Sequence, residues 1–327
     1  MNIFQNKNRK KTNDIIECLN LHPKCYGKEN RDKTIYYICE DNGALGFFAM
    51  YRYWLEYLYF ADVCGYTPVI YAGRQFAYSE ERRIVGTRNP FEYYFLQPVG
   101  MRLGQVRKSS KMIISTPLHR EMVELVYTGK YNNYWYTQDY LKAMSDITKK
   151  YIKINDITWK YVCDGSDRLE IQSNRVLGVH IRGTDFKKEF NNHPVHLMAE
   201  DCFAVIDNLL LEKEYDKIFV ATDDQRLLNQ FLGKYGNRMC YYEDVFRNDK
   251  NKSVVFEKCM RKEHKYQLGL EVLRDMYTLA MCDGLVAGIS QVAVCAQINK
   301  LAMGKKYKDL KIIDKGIYRN CRIFRRK

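Results

Sequence analysis

From Val176 the residues alternate: Leu177, Val179 and Ile181 fall on one side of an extended strand, and Val176, Gly178, His180 and Arg182 on the other. Further along, short apolar runs trade places with segments whose apolar residues recur three and four apart. "RVLGVHI" leads to "HLMAEDCFAVIDNLLLEKE", and "YDKIFVAT" to "DDQRLLNQFLGKYG", where Leu227, Leu228, Phe231 and Leu232 keep helical spacing. "NRMCYYED" leads through the polar stretch Val245–Tyr266 to the helix "GLEVLRDMYTLAMC", and "DGLVAG" to a helix that begins near Gln291. Strands alternating with helices of about 10–15 residues predict a parallel sheet with helices on both faces.

The first half begins in the same way. A strand over Lys33–Asp41, a loop over Asn42–Gly46, a helix over Phe47–Cys64 and the strand "TPVIYAG" after Gly65 form one α/β unit. The helix is broken by Arg52, Glu56 and Asp62, which gives it an amphipathic reading. "EMVELVYTGKY" and "QDYLKAMSDITKKYIKI" are helical in pattern, and "NPFEYYFLQP" is a loop between Pro90 and Pro98. The polar run Tyr161–Asn174 reads as a linker. The expectation is two facing α/β domains with parallel sheets, over residues 1–165 and 166–327.

With 327 residues and 46% hydrophobic positions the chain can fill real cores. Residues 1–20 lack the apolar stretch of a signal peptide, and no uncharged run reaches the ~18–20 residues of a membrane span. Eleven scattered cysteines without a CxxC pair read as reduced thiols. These features predict a cytoplasmic protein. The net charge of +14 is uneven: residues 300–327 hold eleven Lys or Arg against Asp309 and Asp314. Such a segment either contacts an anionic membrane or phosphorylated substrate, or is simply solvated. Nucleic acid is not expected, because no finger, RNP-like or helix-turn-helix signature is present.

In a doubly wound sheet the carboxyl ends of the strands face one crevice, where ligands bind. The second half places His180, Arg182, Thr184 and Asp185 at the first such end, and Thr222, Asp223 and Asp224 at the second. Glu243 and Asp244 stand at the third, and Gly288, Ser290 and Gln291 at the fourth. Asp223, Asp224 and Ser290 are also suited to cap helices. A cation inside an apolar strand needs a partner, so His180 and Arg182 point to a site. Arg182 with two helix N-termini suits a pyrophosphate. Two adjacent carboxylates without a third ligand do not predict a metal. Neither GxxxxGK[ST] nor a GxGxxG after a strand occurs, which excludes the P-loop and the usual dinucleotide fold.

"GVHIRGTDFKKEFNNHP" resembles the HxRRxD motif of α-1,6- and nodulation fucosyltransferases and their α-1,2 and protein O-fucosyltransferase relatives. "VATDD" and "EVLRDMYTLAMCDGLVAGISQVAVCAQI" resemble their second and third motifs, in the same order. The resemblance implies a GT-B architecture, an acceptor-side domain followed by a GDP-fucose domain, and inverting transfer without metal or other cofactor. Arg182 would hold the donor pyrophosphate, His180, Asp223 and Asp275 the nucleotide, and Ser290 and Gln291 the diphosphate. Thr222 and Asp224 join them as donor-side residues. Glu189, four residues before His193-Pro194, matches the family's proposed acid/base; Asp185 would orient the motif. Gly183 stands where the family usually has a second arginine, and Met198 near an expected tyrosine. Arg247, Lys250, Lys252 and Lys258, in a loop expected to order on the donor, could supply the missing charge. The partners implied are a nucleotide sugar and a glycan or lipid-linked acceptor. Two other functions fit the pattern: a GT-B transferase using another nucleotide sugar, and a non-catalytic nucleotide- or glycan-binding module.

Overall fold

The computed structural model describes residues 14, 19, 21–128, 136–183, 191–250, 253–257, 259–320 and 322–324. The chain divides into two compact units, Met1–Thr158 with Leu301–Met303, and Trp159–Lys300 with Gly304–Lys327.

In the first unit, strand β1 (Ile35–Glu40) lies between β2 (Thr67–Ala72) and a later strand, Met112–Ile114, all three parallel. Helix α1 (Phe47–Cys64) ends where Gly65 takes a φ of +67°, a left-handed conformation that glycine adopts without a Cβ penalty. The segment was expected to be a buried amphipathic helix, and α1 is buried almost all round. Arg52 and Glu56 lie one turn apart and pair with each other inside, and Glu56 also accepts a hydrogen bond of 2.7 Å from Tyr140. The pairing offsets part of the cost of burying the two groups. Asp62 alone behaves as expected of a charge, meeting Lys150 and Tyr151 nearer the surface. The segment Asn89–Pro98 is not a plain loop. Pro90–Tyr93 form a 3-10 turn capped by Asn89, and Phe95–Leu96 (β3) pair with a short strand, Lys153–Ile154. Trp54 seats edge-on against Phe91, with centroids 5.1 Å apart, so aromatic burial organises this stretch.

The remaining elements of the first unit are α2 (Leu103–Val106), β4 (Met112–Ile114), α3 (Pro117–Thr128), α4 (Gln138–Tyr151) and β5 (Lys153–Ile154). Helix α5 (Asp156–Arg168) then runs into the segment Tyr161–Asn174 that was expected to be a linker. Its polar composition hides an inward face: Val162 and Ser166 are buried, and Gly165 lies so close to Arg274 that a Cβ would come within 2.5 Å of its Cδ.

The second unit is built on β6 (Val176–His180), α6 (Ala199–Glu212), β7 (Lys217–Ala221), α7 (Gln225–Tyr235), β8 (Met239–Cys240), α8 (His264–Met281), β9 (Gly284–Gly288), α9 (Gln291–Ala302) and β10 (Asp309–Ile313). The strands run in the order β10-β9-β6-β7-β8, all parallel. Leu177, Val179 and Ile181 join Ile218, Val220 and Val286 against α6 and α7, as the alternation predicted. On the other face Gly178 leaves room for Leu279 and Cys282, which a Cβ would approach to 3.1–3.2 Å. Part of the basic stretch is sheet: β10 pairs with β9, and Ile317–Arg319 (β11) form a hairpin with Arg322–Phe324 (β12). The strand's side chains are mostly exposed, so no buried face marks it in the sequence. No helix among the described residues is long and apolar enough to cross a membrane.

Candidate nucleotide site at the sheet's switch point

The chain leaves β6 towards β7 on one side and returns to β9 on the other, so the order reverses between β6 and β9. Open α/β sheets bind ligands beyond the carboxyl ends of the strands at such a point. His180 is the last residue of β6 and Ser290 immediately precedes α9; His180 Nδ1 lies 3.1 Å from Ser290 Oγ. The same hydroxyl accepts the backbone N–H of Ala293 at 3.1 Å, which caps the helix. Burial, helped by the charge of Arg182, pushes the His180 imidazole down to about 3. His180 is therefore neutral at physiological pH. Gln291 opens α9 beside this pair.

On the β7 side Asp223 serves the same junction. Its Oδ1 accepts the Gly183 N–H at 2.9 Å, and its Oδ2 lies 3.6 Å from Arg182 Nε. Asp224 is fully buried and caps α7 by accepting the Arg226 N–H at 2.8 Å; the Arg226 guanidinium then grips both its oxygens at 3.0 and 2.7 Å. Thr222 has a local role, its hydroxyl accepting the Asp224 N–H at 3.2 Å. A Cβ on Gly183 would sit 2.2 Å from Asp224 Cβ, so Asp224 fills the space a side chain would need.

Asp275, on α8, is 8% exposed, and burial pushes its carboxyl up to about 7 against the opposing charges of Arg247 and Arg274. Arg274 is spent elsewhere, donating to Asp244 at 3.1 Å and lying over the Tyr242 ring at 3.8 Å. The stretch 245–266, expected to be a loop that orders on the donor, is tied to the sheet. Asn248 exchanges backbone hydrogen bonds with Asp223 and Gln225 at 3.3 and 3.0 Å, and Arg261 pairs with Glu271. Arg247 donates to the backbone carbonyls of residues 222, 242 and 245. No hydropathy pattern marked Arg247, Arg226 or Arg274, since each takes its place through tertiary contacts. Thr184, Asp185, Glu189, Lys252 and Lys258 lie outside the described residues.

No family model and no curated protein matches the chain in sequence. Solved structures do match in fold. The crystal structure of NodZ α-1,6-fucosyltransferase soaked with GDP-fucose is 16% identical, covers 83% of this chain and 92% of its own, and superposes with a TM-score of 0.50. The chain has a fucosyltransferase-like fold. NodZ from Bradyrhizobium (16% identity, 83% and 93% coverage, TM-score 0.49) and POFUT1 in complex with GDP-fucose (10%, 88% and 99%, 0.48) also match. The fucosyltransferase-like fold accounts for the two α/β units with parallel sheets and agrees with the GT-B expectation.

Proposed function

We propose that the chain is an inverting, metal-independent glycosyltransferase that moves fucose from GDP-fucose to a hydroxyl of a glycan or lipid-linked sugar. The main support is the convergence of His180, Ser290, Arg182 and Asp223 at the switch point of an all-parallel sheet. The neighbour soaked with GDP-fucose has the same fold, and it lends the donor to this reading.

Breaking the bond between sugar and diphosphate puts negative charge on a departing phosphate oxygen, which preorganised donors must meet. Arg182 and the N-terminal end of α9 are the groups for that work. In the tautomer where Ser290 Oγ–H donates to His180 Nδ1, while Oγ accepts the Ala293 N–H, Nε2 carries the hydrogen and can donate to the nucleotide. Asp275 accepts from the nucleotide. Glu189 takes the proton of the acceptor hydroxyl as it attacks the anomeric carbon from the face opposite the leaving group. Asp223 and Asp224 hold Gly183 and Arg226, which leaves them poorly disposed to carry a metal. Transfer should therefore survive EDTA.

A second reading, a GT-B transferase with another nucleotide sugar, draws on Gly183, where the geometry has no room for a motif arginine. A non-catalytic nucleotide-binding module would use the same pocket without Glu189. Thermal-shift titration with GDP-fucose, GDP-mannose and UDP-glucose, followed by a transfer assay with and without EDTA, separates the three. The largest shift is expected with GDP-fucose; no shift with any GDP-sugar would sink the leading reading. With a lipid-linked acceptor, lysines such as Lys305, Lys306, Lys308 and Lys311 would lie against anionic lipid. Co-sedimentation with phosphatidylserine vesicles, lost when these lysines are neutralised, checks that contact.

A further inference from the structure

The chain leaves β9 through α9 and returns as β10 at the edge of the second sheet. Ile313 packs against the core under α6 and α7, so by the alternation of a strand Leu310 and Ile312 stand on the opposite face. That face is left open at the edge. Leu310 is 39% and Ile312 37% exposed, whereas their register partners on β9, Leu285 and Ala287, are fully buried. In the hairpin that follows, Ile323 is 52% exposed.

The charges along the same segment are mostly positive. Lys305, Lys306, Lys308, Lys311, Arg319 and Arg322 are exposed. The two acids of residues 304–324 are engaged by the fold: Asp309 accepts the Tyr215 hydroxyl at 2.6 Å, and Asp314 accepts the Gly316 N–H at 2.7 Å. Lys308 and Lys315 pair with Asp283 and Asp201, each at 2.8 Å. Seven Lys or Arg less these two leave five cations in residues 304–324, beside three uncovered aliphatic side chains.

That combination selects among anionic partners. Nucleic acid would meet the cations with phosphate and offer nothing to Leu310 or Ile312. An anionic bilayer uses both kinds of group. Its headgroups meet the cations, the aliphatic side chains enter the acyl boundary, and the lysine stems span the two layers.

We propose that β10 and the β11–β12 hairpin form a docking surface for an anionic membrane, with Leu310, Ile312 and Ile323 inserted and the neighbouring cations on the headgroups. It goes beyond the lysine contact of a lipid-linked acceptor, because insertion needs no acceptor. It does not rest on the nucleotide-sugar reading.

Flotation of the full chain tests it, with vesicles of phosphatidylcholine alone and of phosphatidylcholine mixed with phosphatidylserine. Binding is expected only where phosphatidylserine is present. Leu310→Ser with Ile312→Ser should weaken it about 10- to 100-fold. Lys305→Gln with Lys306→Gln and Lys311→Gln should weaken it about 100-fold. GDP affinity should hold in both variants, so a failed surface and a failed nucleotide site are told apart. A parent chain that ignores phosphatidylserine vesicles would overturn the proposal. So would an apolar variant that floats as well as the parent, since the cations alone would then account for the contact. Displacement from the vesicles by polyglutamate at equal charge concentration would give the surface to an acidic protein instead. Should the variants fail to fold, the parent still decides. Slower hydrogen exchange over residues 309–313 and 322–324 is expected on adding phosphatidylserine vesicles, and unchanged exchange would refute insertion.

Discussion

Arg182 reaches past the end of β6 with its Nε 3.6 Å from Asp223, too far for a tight ion pair and near enough to be aimed. An arginine so placed stands at the carboxyl end of β6, where a diphosphate would be met. Arg182→Ala should weaken GDP binding by about 2–4 kcal/mol with little change in thermal stability, as measured by calorimetry and melting. Unchanged affinity in a folded variant would remove Arg182 from the site. Glu189 has a different expected signature. As general base it should contribute about 10²–10⁴ in rate, so Glu189→Gln should lower kcat by that order and leave GDP affinity almost intact. Near-normal turnover would transfer attention to Asp185. At this scale the sequence was informative where a polar residue interrupted an apolar strand, as His180 does. It picked out Arg247 only as one cation of a polar loop, because a polar residue there carries no contrast that would reveal its bonds to backbone carbonyls.

At the scale of elements, the exit of β6 is fixed by contact with the start of α7. Gly183 donates to Asp223 and leaves its Cβ position to Asp224, which in turn holds Arg226. Gly183→Ala would force Asp224 to move and loosen Arg226 with it. A loss of about 1–3 kcal/mol in urea unfolding is expected, as for other overpacked sites, and a variant as stable as the parent would show that the junction can relax. The strands β1, β2, β6, β7 and β9 and the long helices were legible because their apolar periods are long and clean. Two others were not: part of α5 read as a linker and β10 as part of a basic surface segment, since α5 buries only a short face and the side chains of β10 are mostly exposed.

For the whole molecule, four buried groups have ionisations that pull against each other. Burial raises Glu56 and Asp275 to about 7, and lowers His119 to about 4 and His180 to about 3. The carboxyls hold protons in the folded state that the unfolded chain has released, so stability falls as pH rises from about 4.5 to 7. The imidazoles are neutral in the folded state while the unfolded chain is protonated, so stability rises as pH goes from about 4 to 6.5. The two trends oppose each other over pH 4.5–6.5, and stability should be nearly level there, then decline towards pH 7. Glu56→Gln removes one falling contribution and should turn the plateau into a rise. Denaturant titrations at half-unit pH steps would show it; an unaltered plateau in the variant would mean that Glu56 is ionised in the fold across this range.

Strand β10 has a consequence in time as well as in space. The ribosome makes β6, β7 and β8 first and β9 well after them, and the far edge of β9 stays open until Asp309–Ile313 is made and pairs with it. During that interval the second sheet ends in an uncovered row of backbone donors and acceptors, the kind of edge that recruits a strand from another chain. A nascent or truncated chain stopping near residue 304 would keep the apolar β9 as its edge strand in place of β10, whose Asp309 and Lys311 discourage pairing, and would be more prone to recruit a strand from another chain.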